Sequence, residues 1–412
     1  MLDIKFIRDN KKLVEETIKK RRVDVDIAHL LEIDNKRLEL IKIVEKFRRE
    51  RNEAAQKKDI DTGKKIKEKL SKQEDALRAV ELELNEYLEQ VPNLLSPEVP
   101  EGEGDEDNVE IKTWGKKTKF DFKPLDHVQI GKRLGIIDEE RAAKVSGHGF
   151  YYLKDEGALL ELALVDWAIK FLIKKGYMPV ITPELVRKRF VEGTGYLPRR
   201  EVPDIYKIEG EDLYLSATAE IPLAGLHADE ILNEEDLPAN YVGFSTSFRR
   251  ESGSYGKYTK GMFRVHQFDK LEIFKFVKPE DANTAFKEIV SLEEEIFQSL
   301  EIPYRVVNIC SGEMSAAAYL KYDLEYWSPV DQTYREFTSA SNTTDYQARR
   351  LNIKYRKKDG STGFVATLNG TAIAISRTPI AILENYQQKD GSVRLPKVLH
   401  GYLGKDVIQG AK

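Results

Sequence analysis

Residues 248–272 read FRRESGSYGKYTKGMFRVHQFDKLE. Before it stands NYVGFSTSF (240–248), and its last residues open FRVHQFDKLEIFKFV (263–277). Both runs are rich in β-branched and aromatic residues, which read as strands. The segment between them, ESGSYGKYTKG (251–261), holds three glycines and no aliphatic residue, so it reads as the loop of an antiparallel hairpin. Period-two alternation then puts Arg264, His266, Phe268, Lys270 and Glu272 on one sheet face, with Arg249 and Glu251 alternating likewise at the end of the first strand. A buried apolar face would not carry Arg264 and Glu272 on either side of Phe268. Guanidinium forks match phosphate oxygens and an aromatic face suits a purine, so this face reads as a nucleotide site.

Working outward, the strands DLYLSAT, YRVVNI and GFVATLNG come in runs without regular strand–helix alternation. That favours an α+β fold: an antiparallel sheet flanked by helices, over residues 116–412. LLELALVDWAIKFLIKKG (159–176) and about 280–300 read as helices. The first hundred residues differ. Asp9 can cap a short helix that runs to about Arg22. A second helix is expected from about Ile27 to Lys57, and a third from after Asp61-Thr62-Gly63 to before Pro92. In the third, Ile66, Leu70, Gln73, Leu77, Val80, Leu84, Tyr87 and Val91 follow heptad spacing. In the second, Ile27, Leu31, Leu38 and Ile41 hold a register that Asp34, Glu45 and Arg48 interrupt. Residues 27–91 therefore read as an antiparallel coiled-coil hairpin, an arm about 45 Å long at 1.5 Å per residue, within an N-terminal domain over 1–100. Its tip is basic, with eleven Lys/Arg against six Asp/Glu over residues 41–70. Arg48, Arg49 and Arg51 are the candidates for phosphate contacts there. Residues 101–115, dense in acids, read as a linker.

The chain has 412 residues, net charge −4, one cysteine and six histidines. A single cysteine excludes an intramolecular disulfide and a closed Cys-rich zinc site, and fits a reducing cytoplasm. The N-terminus has no apolar signal core, and no apolar run approaches the roughly 18 residues that span a membrane. A near-neutral chain must bind nucleic acid through a local patch.

The 248–272 stretch resembles motif 2 of class II aminoacyl-tRNA synthetases, and in detail that of the seryl-tRNA synthetases. GYMPVITPELV (176–186), with Pro183, resembles motif 1, and LNGTAIAISRTPIAILENYQ (368–387), with Arg377, resembles motif 3. SATAE (216–220), SGEMSAAAYLKYDLEYWSP, REFTSASNTTDYQARR and the N-terminal hairpin agree with the same family. The resemblance implies a homodimeric serine–tRNA ligase that uses ATP and Mg²⁺ to make seryl-adenylate. It then transfers serine to the 3′ end of tRNA(Ser), and of tRNA(Sec) where present. It implies Arg249, Arg264 and Arg377 as catalytic residues. Arg249 would hold the α-phosphate and the serine carboxylate, Glu251 the adenine amino group, and Arg264 the β,γ-phosphates. Phe268 would stack on adenine with Arg377 on the other face. Arg250, Val265, Phe337 and Thr338 complete the implied ATP set, and Glu336 and Ser339 are the implied Mg²⁺ ligands. Thr218, Ala219, Glu220, Arg249, Glu272, Asn369 and Thr371 are the implied serine set.

The sequence departs from the family in the loop, GKYTKG where GKDTRG is usual, and at Ala217, where proline is common. His266 reads more simply as a packing residue than as an acid–base group, and Cys310 as a buried thiol. A prolyl-type enzyme is disfavoured because little chain follows motif 3. A carrier-protein ligase is disfavoured by the long arm, and a non-catalytic RNA binder by the intact arginines and glutamates.

Overall fold

The computed structural model describes residues 1–196, 205–251 and 261–409. Two compact units are present, Met1–Leu94 and Leu95–Lys412. In the first, helices α1 (Ile4–Asp9) and α2 (Lys11–Lys20) precede the long helices α3 (Ile27–Gln56) and α4 (Ile60–Leu88). Asp3 caps α1, accepting from Lys5 and Phe6 N–H; Asp9 is the last residue of α1, and α2, the helix that runs toward Arg22, starts after Asn10 without a side-chain cap. The turn between the long helices falls earlier than Gly63. Lys58 takes a left-handed φ of 57° and the Asp59 carboxylate accepts the Thr62 N–H, so α4 begins at Ile60.

The seam of α4 buries or half-buries every heptad position read from sequence, with Leu70, Val80, Leu84 and Val91 fully inside. The α3 seam differs from expectation. Its inward row is Leu30, Ile33, Arg37, Leu40, Val44, Phe47 and Ala54, a 3,4 spacing in which the position of Arg51 stays exposed, with Glu45 and Arg48 exposed outside the row. Asp34 is not an interruption: it is fully buried, paired with Arg8 and, at 2.7 Å, with Arg37. Leu2, ahead of α1, and Ile7, Val14 and Ile18 of the short helices share one core with Ile27, Leu30, Ile33, Val80, Leu84 and Leu88. The root of the arm is thus a small helical domain and not a bare two-helix hairpin.

In the second unit, among the described residues, eight strands form one sheet. They are β1 (Val109–Trp114), β2 (Met178–Ile181), β3 (Ala239–Phe248), β4 (Gln267–Val277), β5 (Tyr304–Asn308), β6 (Leu320–Ser328), β7 (Thr333–Asn342) and β8 (Ala366–Ala374). Their order is β1-β5-β6-β7-β8-β4-β3-β2, antiparallel throughout except for the parallel β2–β3 pair. The expected acidic linker 101–115 needs correction. Residues 109–114 are the edge strand β1, with Trp114 stacked on Tyr304 at 5.7 Å, and the Gly102 carbonyl accepts the Gly312 N–H.

Helices α5 (His127–Leu134), α6 (Glu156–Lys174), α7 (Ala282–Ser299) and α8 (Thr378–Tyr386) belong to this unit. The apolar stripe of α7, with Phe286, Ile289, Ile296 and Phe297, lies in one core with Leu324, Phe337, Ala340 and Leu368. Close packing decides one glycine there. A Cβ on Gly370 would sit 2.3 Å from Ile289 Cγ2 and 2.8 Å from Glu293 Oε1. The opposite face of the central strands is free of that helix and carries the polar residues.

Candidate active site

Strands β4, β6, β7 and β8, with Arg249 just past β3, line a cavity of about 500 Å³. Two β-bulges decide which side chains enter it. Across β6–β7 the register runs Leu324↔Thr338 and then Glu325↔Glu336, leaving Phe337 as the extra residue. Phe337 and Thr338 consequently both point to α7: the Phe337 ring lies 3.8 Å from that of Phe297, and Thr338 Oγ1 donates to Glu293 Oε2 at 3.1 Å. Glu336 and Ser339, three apart, are thereby returned to the same, cavity-facing side. A second irregularity between Thr371 and Ile373 leaves Asn369, Thr371 and Ala374 all lining the cavity.

One end is cationic. Arg249, Arg264, Lys321 and Arg377 line it. The Arg249 guanidinium lies 5.2 Å over the Phe268 ring and its Nε donates to the Ala217 carbonyl at 3.3 Å. Arg264 Nε is 3.6 Å from Glu251 Oε2, and Arg377 Nη1 is 2.7 Å from Glu336 Oε1. Burial raises the Glu336 pKa, but the charges of Arg377 and Lys321 outweigh it and hold the carboxyl at about 2. Asp323, 3.2 Å from the Lys321 ammonium, is pushed by burial to about 6 against the pull of that ammonium. Glu336 and Ser339 offer hard oxygen donors side by side, the donor type Mg²⁺ takes. Among the described residues no cluster of three His, Cys, Asp or Glu side chains forms a closed metal cage.

The other end is a buried polar network. Lys270 is paired with Glu272 and donates to Thr218 Oγ1 at 3.3 Å. Thr218 Oγ1 reaches Glu272 Oε2 at 3.5 Å. Asn369 Nδ2 donates to Glu272 Oε1 at 3.0 Å and to Glu220 Oε2 at 3.2 Å. Tyr196 and Gln347 each donate to Glu220 at 2.7 Å. Burial, with Glu272 beside it, pushes Glu220 up to about 7. Thr371 sits directly opposite Glu272 in the β8–β4 register.

The family model for the tRNA synthetase class II core domain (G, H, P, S and T) matches residues 205–386. That for the seryl-tRNA synthetase N-terminal domain matches residues 1–95. A serine–tRNA ligase of Rubrobacter xylanophilus is 46% identical over 423 residues, covering all of both chains. The chain belongs to the seryl-tRNA synthetase family. It is therefore a ligase of the class that forms aminoacyl-tRNA. A serine–tRNA ligase of Dictyoglomus thermophilum is 48% identical, again over the full length of both. The crystal structure of the Pyrococcus horikoshii seryl-tRNA synthetase complexed with ATP aligns with a TM-score of 0.92 and 42% identity, covering 100% of each chain. A Giardia lamblia prolyl-tRNA synthetase, 14% identical with a TM-score of 0.57, shares the fold alone.

Of the residues expected from the family resemblance, Arg249, Glu251, Arg264, Val265, Phe268, Glu336, Phe337, Thr338, Ser339 and Arg377 line the cavity, with Glu220, Asn369 and Thr371. Thr218, Ala219 and Glu272 are buried outside its lining, and the first and last join it through the network above. Arg250 instead lies 5.7 Å over the Tyr206 ring. Arg264 and His266 precede β4, which starts at Gln267, so strand alternation does not place them. His266 is held structurally, Nδ1 being 3.1 Å from the Tyr206 hydroxyl and 3.0 Å from the Arg249 carbonyl oxygen. The hairpin loop at 252–260 lies outside the described residues. Arg48, Arg49 and Arg51 belong to the other unit, where Arg48 Nη2 donates to Glu74 Oε1 at 2.7 Å and Arg49 is 4.0 Å from Glu45.

Lys321, Asp323, Tyr196 and Gln347 were not singled out from the sequence. KYDLEYW (321–327) alternates charged and apolar residues, and that period would have placed Lys321 and Asp323 on the polar face. Nothing local marks Tyr196 or Gln347.

Proposed function

We propose that this chain activates L-serine with ATP and passes it to the 3′ end of tRNA(Ser), and of tRNA(Sec) where present. The observation that carries this is the two-ended cavity, with guanidiniums and a permanently ionised Glu336 at one end and the Thr218–Glu220–Glu272–Asn369 network at the other. A serine carboxylate oxygen attacks the α-phosphorus in line, the bond to the bridging oxygen breaks, and pyrophosphate leaves with that electron pair. A terminal ribose hydroxyl of tRNA then attacks the acyl carbon, the bond from that carbon to the phosphate oxygen breaks, and AMP leaves with the electron pair as the hydroxyl gives up its proton. No protein nucleophile is required; positioning and charge stabilisation carry the rate.

Arg249, at the cationic end with its Nε on the carbonyl of Ala217, the neighbour of Thr218, is suited to an α-phosphate and the substrate carboxylate together. Arg264 and Arg377 face the outer phosphates, and Phe268 offers its ring to adenine beside Glu251. Mg²⁺ would be held by Glu336 and Ser339, where it would neutralise phosphate charge. Glu220 and Glu272 face the substrate ammonium and hydroxyl with Thr218 and Thr371.

A second copy of the chain fits the exposed apolar side chains Leu159, Leu162, Met178 and Ile181, which are 47%, 65%, 60% and 84% exposed on α6 and the edge strand β2. Arg48, Arg49 and Arg51 on the arm are assigned to the tRNA backbone, and the cytoplasm is the expected compartment. The test is ATP–pyrophosphate exchange with each of the twenty amino acids. Serine alone should support rapid exchange; exchange with none, or with threonine over serine, overturns the reading.

A further inference from the structure

A buried histidine outside the cavity carries one more role. His127, the first residue of α5, is only 4% exposed. Its Nε2 accepts the Met262 backbone N–H at 3.3 Å, which leaves Nδ1 to carry the ring proton toward Glu384 Oε1, 3.1 Å away on α8. The same carboxylate accepts the His127 backbone N–H at 3.4 Å and, through Oε2, the Ser328 hydroxyl at 3.0 Å. Gly261 has a φ of +76°, and a Cβ there would lie 2.0 Å from His127 Nε2, so the imidazole occupies the space beside that backbone. Phe263, the residue after Met262, lines the cavity, and its ring lies 5.2 Å from the Arg377 guanidinium and 5.5 Å from that of Arg335.

We infer that His127 is a positioning residue for ATP: it ties the backbone at Met262 to α8 and thereby sets the Phe263 ring against Arg377. Arg377 is then fixed from two sides, by the Glu336 carboxylate at 2.7 Å and by this ring. The ring is placed by backbone, and that backbone is held by one imidazole bridging two segments more than a hundred residues away from it in sequence. The inference rests on the assignment of the cationic end to ATP.

The test is serine-dependent pyrophosphate exchange with the KM for ATP and for serine measured separately. His127→Asn ends its amide near the Nδ1 position, so the tie to Glu384 remains while the acceptor for Met262 is lost. Loss of one buried hydrogen bond corresponds to about a fivefold effect. We expect the KM for ATP to rise by about that factor, with the KM for serine within about twofold of wild type. His127→Gln, whose longer amide reaches Met262, should restore much of the ATP affinity. A histidine that merely supports the fold would move both KM values and the Tm together, and Gln would not distinguish itself from Asn; that result, or an unchanged KM for ATP, overturns the inference. Should His127→Asn not fold, Phe263→Leu decides: it keeps the tie and removes the ring, so the KM for ATP must rise with that for serine held, and no change overturns it. Wild-type protein inert toward serine and ATP would instead overturn the assigned function itself.

Discussion

Arg377, at the N-terminal cap of α8, and Glu336 on β7 form an ion pair, Nη1 to Oε1 2.7 Å, with Glu336 turned to the cavity side by the bulge at Phe337. Without that extra residue, alternation would send Glu336 and Ser339 to opposite faces of the sheet. The pair has two consequences. It keeps the carboxylate charged at neutral pH, and it holds a guanidinium at the end of the cavity assigned to phosphate.

Removing that carboxylate tests its assigned metal role. Glu336→Gln keeps the shape and a carbonyl oxygen but loses the charge. Loss even of groups that only orient a metal's ligands costs roughly 10–100-fold, so the Mg²⁺ concentration for half-maximal exchange should rise at least about tenfold. Titrating Mg²⁺ at fixed ATP measures this. An unchanged midpoint would remove Glu336 from the metal set.

Glu220 makes the site pH-dependent. Burial raises its pKa from the ordinary 4.5 to about 7, so the folded chain holds this proton more tightly than the unfolded one. Its contribution to stability is complete below about 4.5 and is lost as pH rises through about 7. Glu220→Gln should flatten that part of the Tm-versus-pH curve. Serine's ammonium favours the ionised carboxylate, so the wild-type KM for serine should fall as pH rises from about 6 to 8. A KM that rises over this range would show that Glu220 does not face the ammonium.

Much of this was legible because period-two and heptad patterns are direct records of burial. Phe268, Lys270 and Glu272 share a face in β4 as their spacing requires. Spacing fails where the backbone departs from period two. Arg264 and His266 lie before the strand begins, and the bulge at Phe337 is not marked by any glycine or proline, whereas Gly370 stands beside the irregularity near Thr371. In α3 the polar Asp34 looked like a break in the seam. It is a buried anion paired with Arg37 three residues on and with Arg8 from another helix, and the second, long-range partner is one that no local pattern encodes. Reading the row from Leu30 through Leu40, Val44, Phe47 and Ala54 would have found the true register.

Gly370 lies between Asn369 and Thr371 and has no room for a methyl group. Gly370→Ala must displace Ile289 on α7 or lift β8 from it. Overpacking of this kind costs typically about 1–3 kcal/mol. We expect a lower Tm, and a KM for serine raised more than that for ATP, because the flanking residues belong to the polar network. A variant with wild-type Tm and serine affinity would show that α7 yields without moving the strand.

The arm can be separated from activation, but only at a cut that respects its root. Deleting 27–91 would strip Ile27, Leu30, Val80 and Leu84 from the core they share with Ile7, Val14 and Ile18. The Arg48–Glu74 pair fixes which residues face each other across the hairpin, so Glu45 and Leu77 bracket a level cut. Replacing residues 45–77 with a short Gly-Ser turn removes the basic tip and leaves that core whole. Serine-dependent exchange should stay within about twofold of wild type, since activation draws on the other unit alone. Aminoacylation should collapse, and in the full-length chain Arg48, Arg49 and Arg51 to Gln should raise the KM for tRNA and flatten its salt dependence, because each lost phosphate contact is a counterion no longer released. Arg48, already engaged by Glu74, should contribute less than Arg49 or Arg51 when each is changed singly. Full aminoacylation by the shortened chain would disprove the arm as a tRNA-binding element, and loss of exchange would show that the arm tip supports the active site.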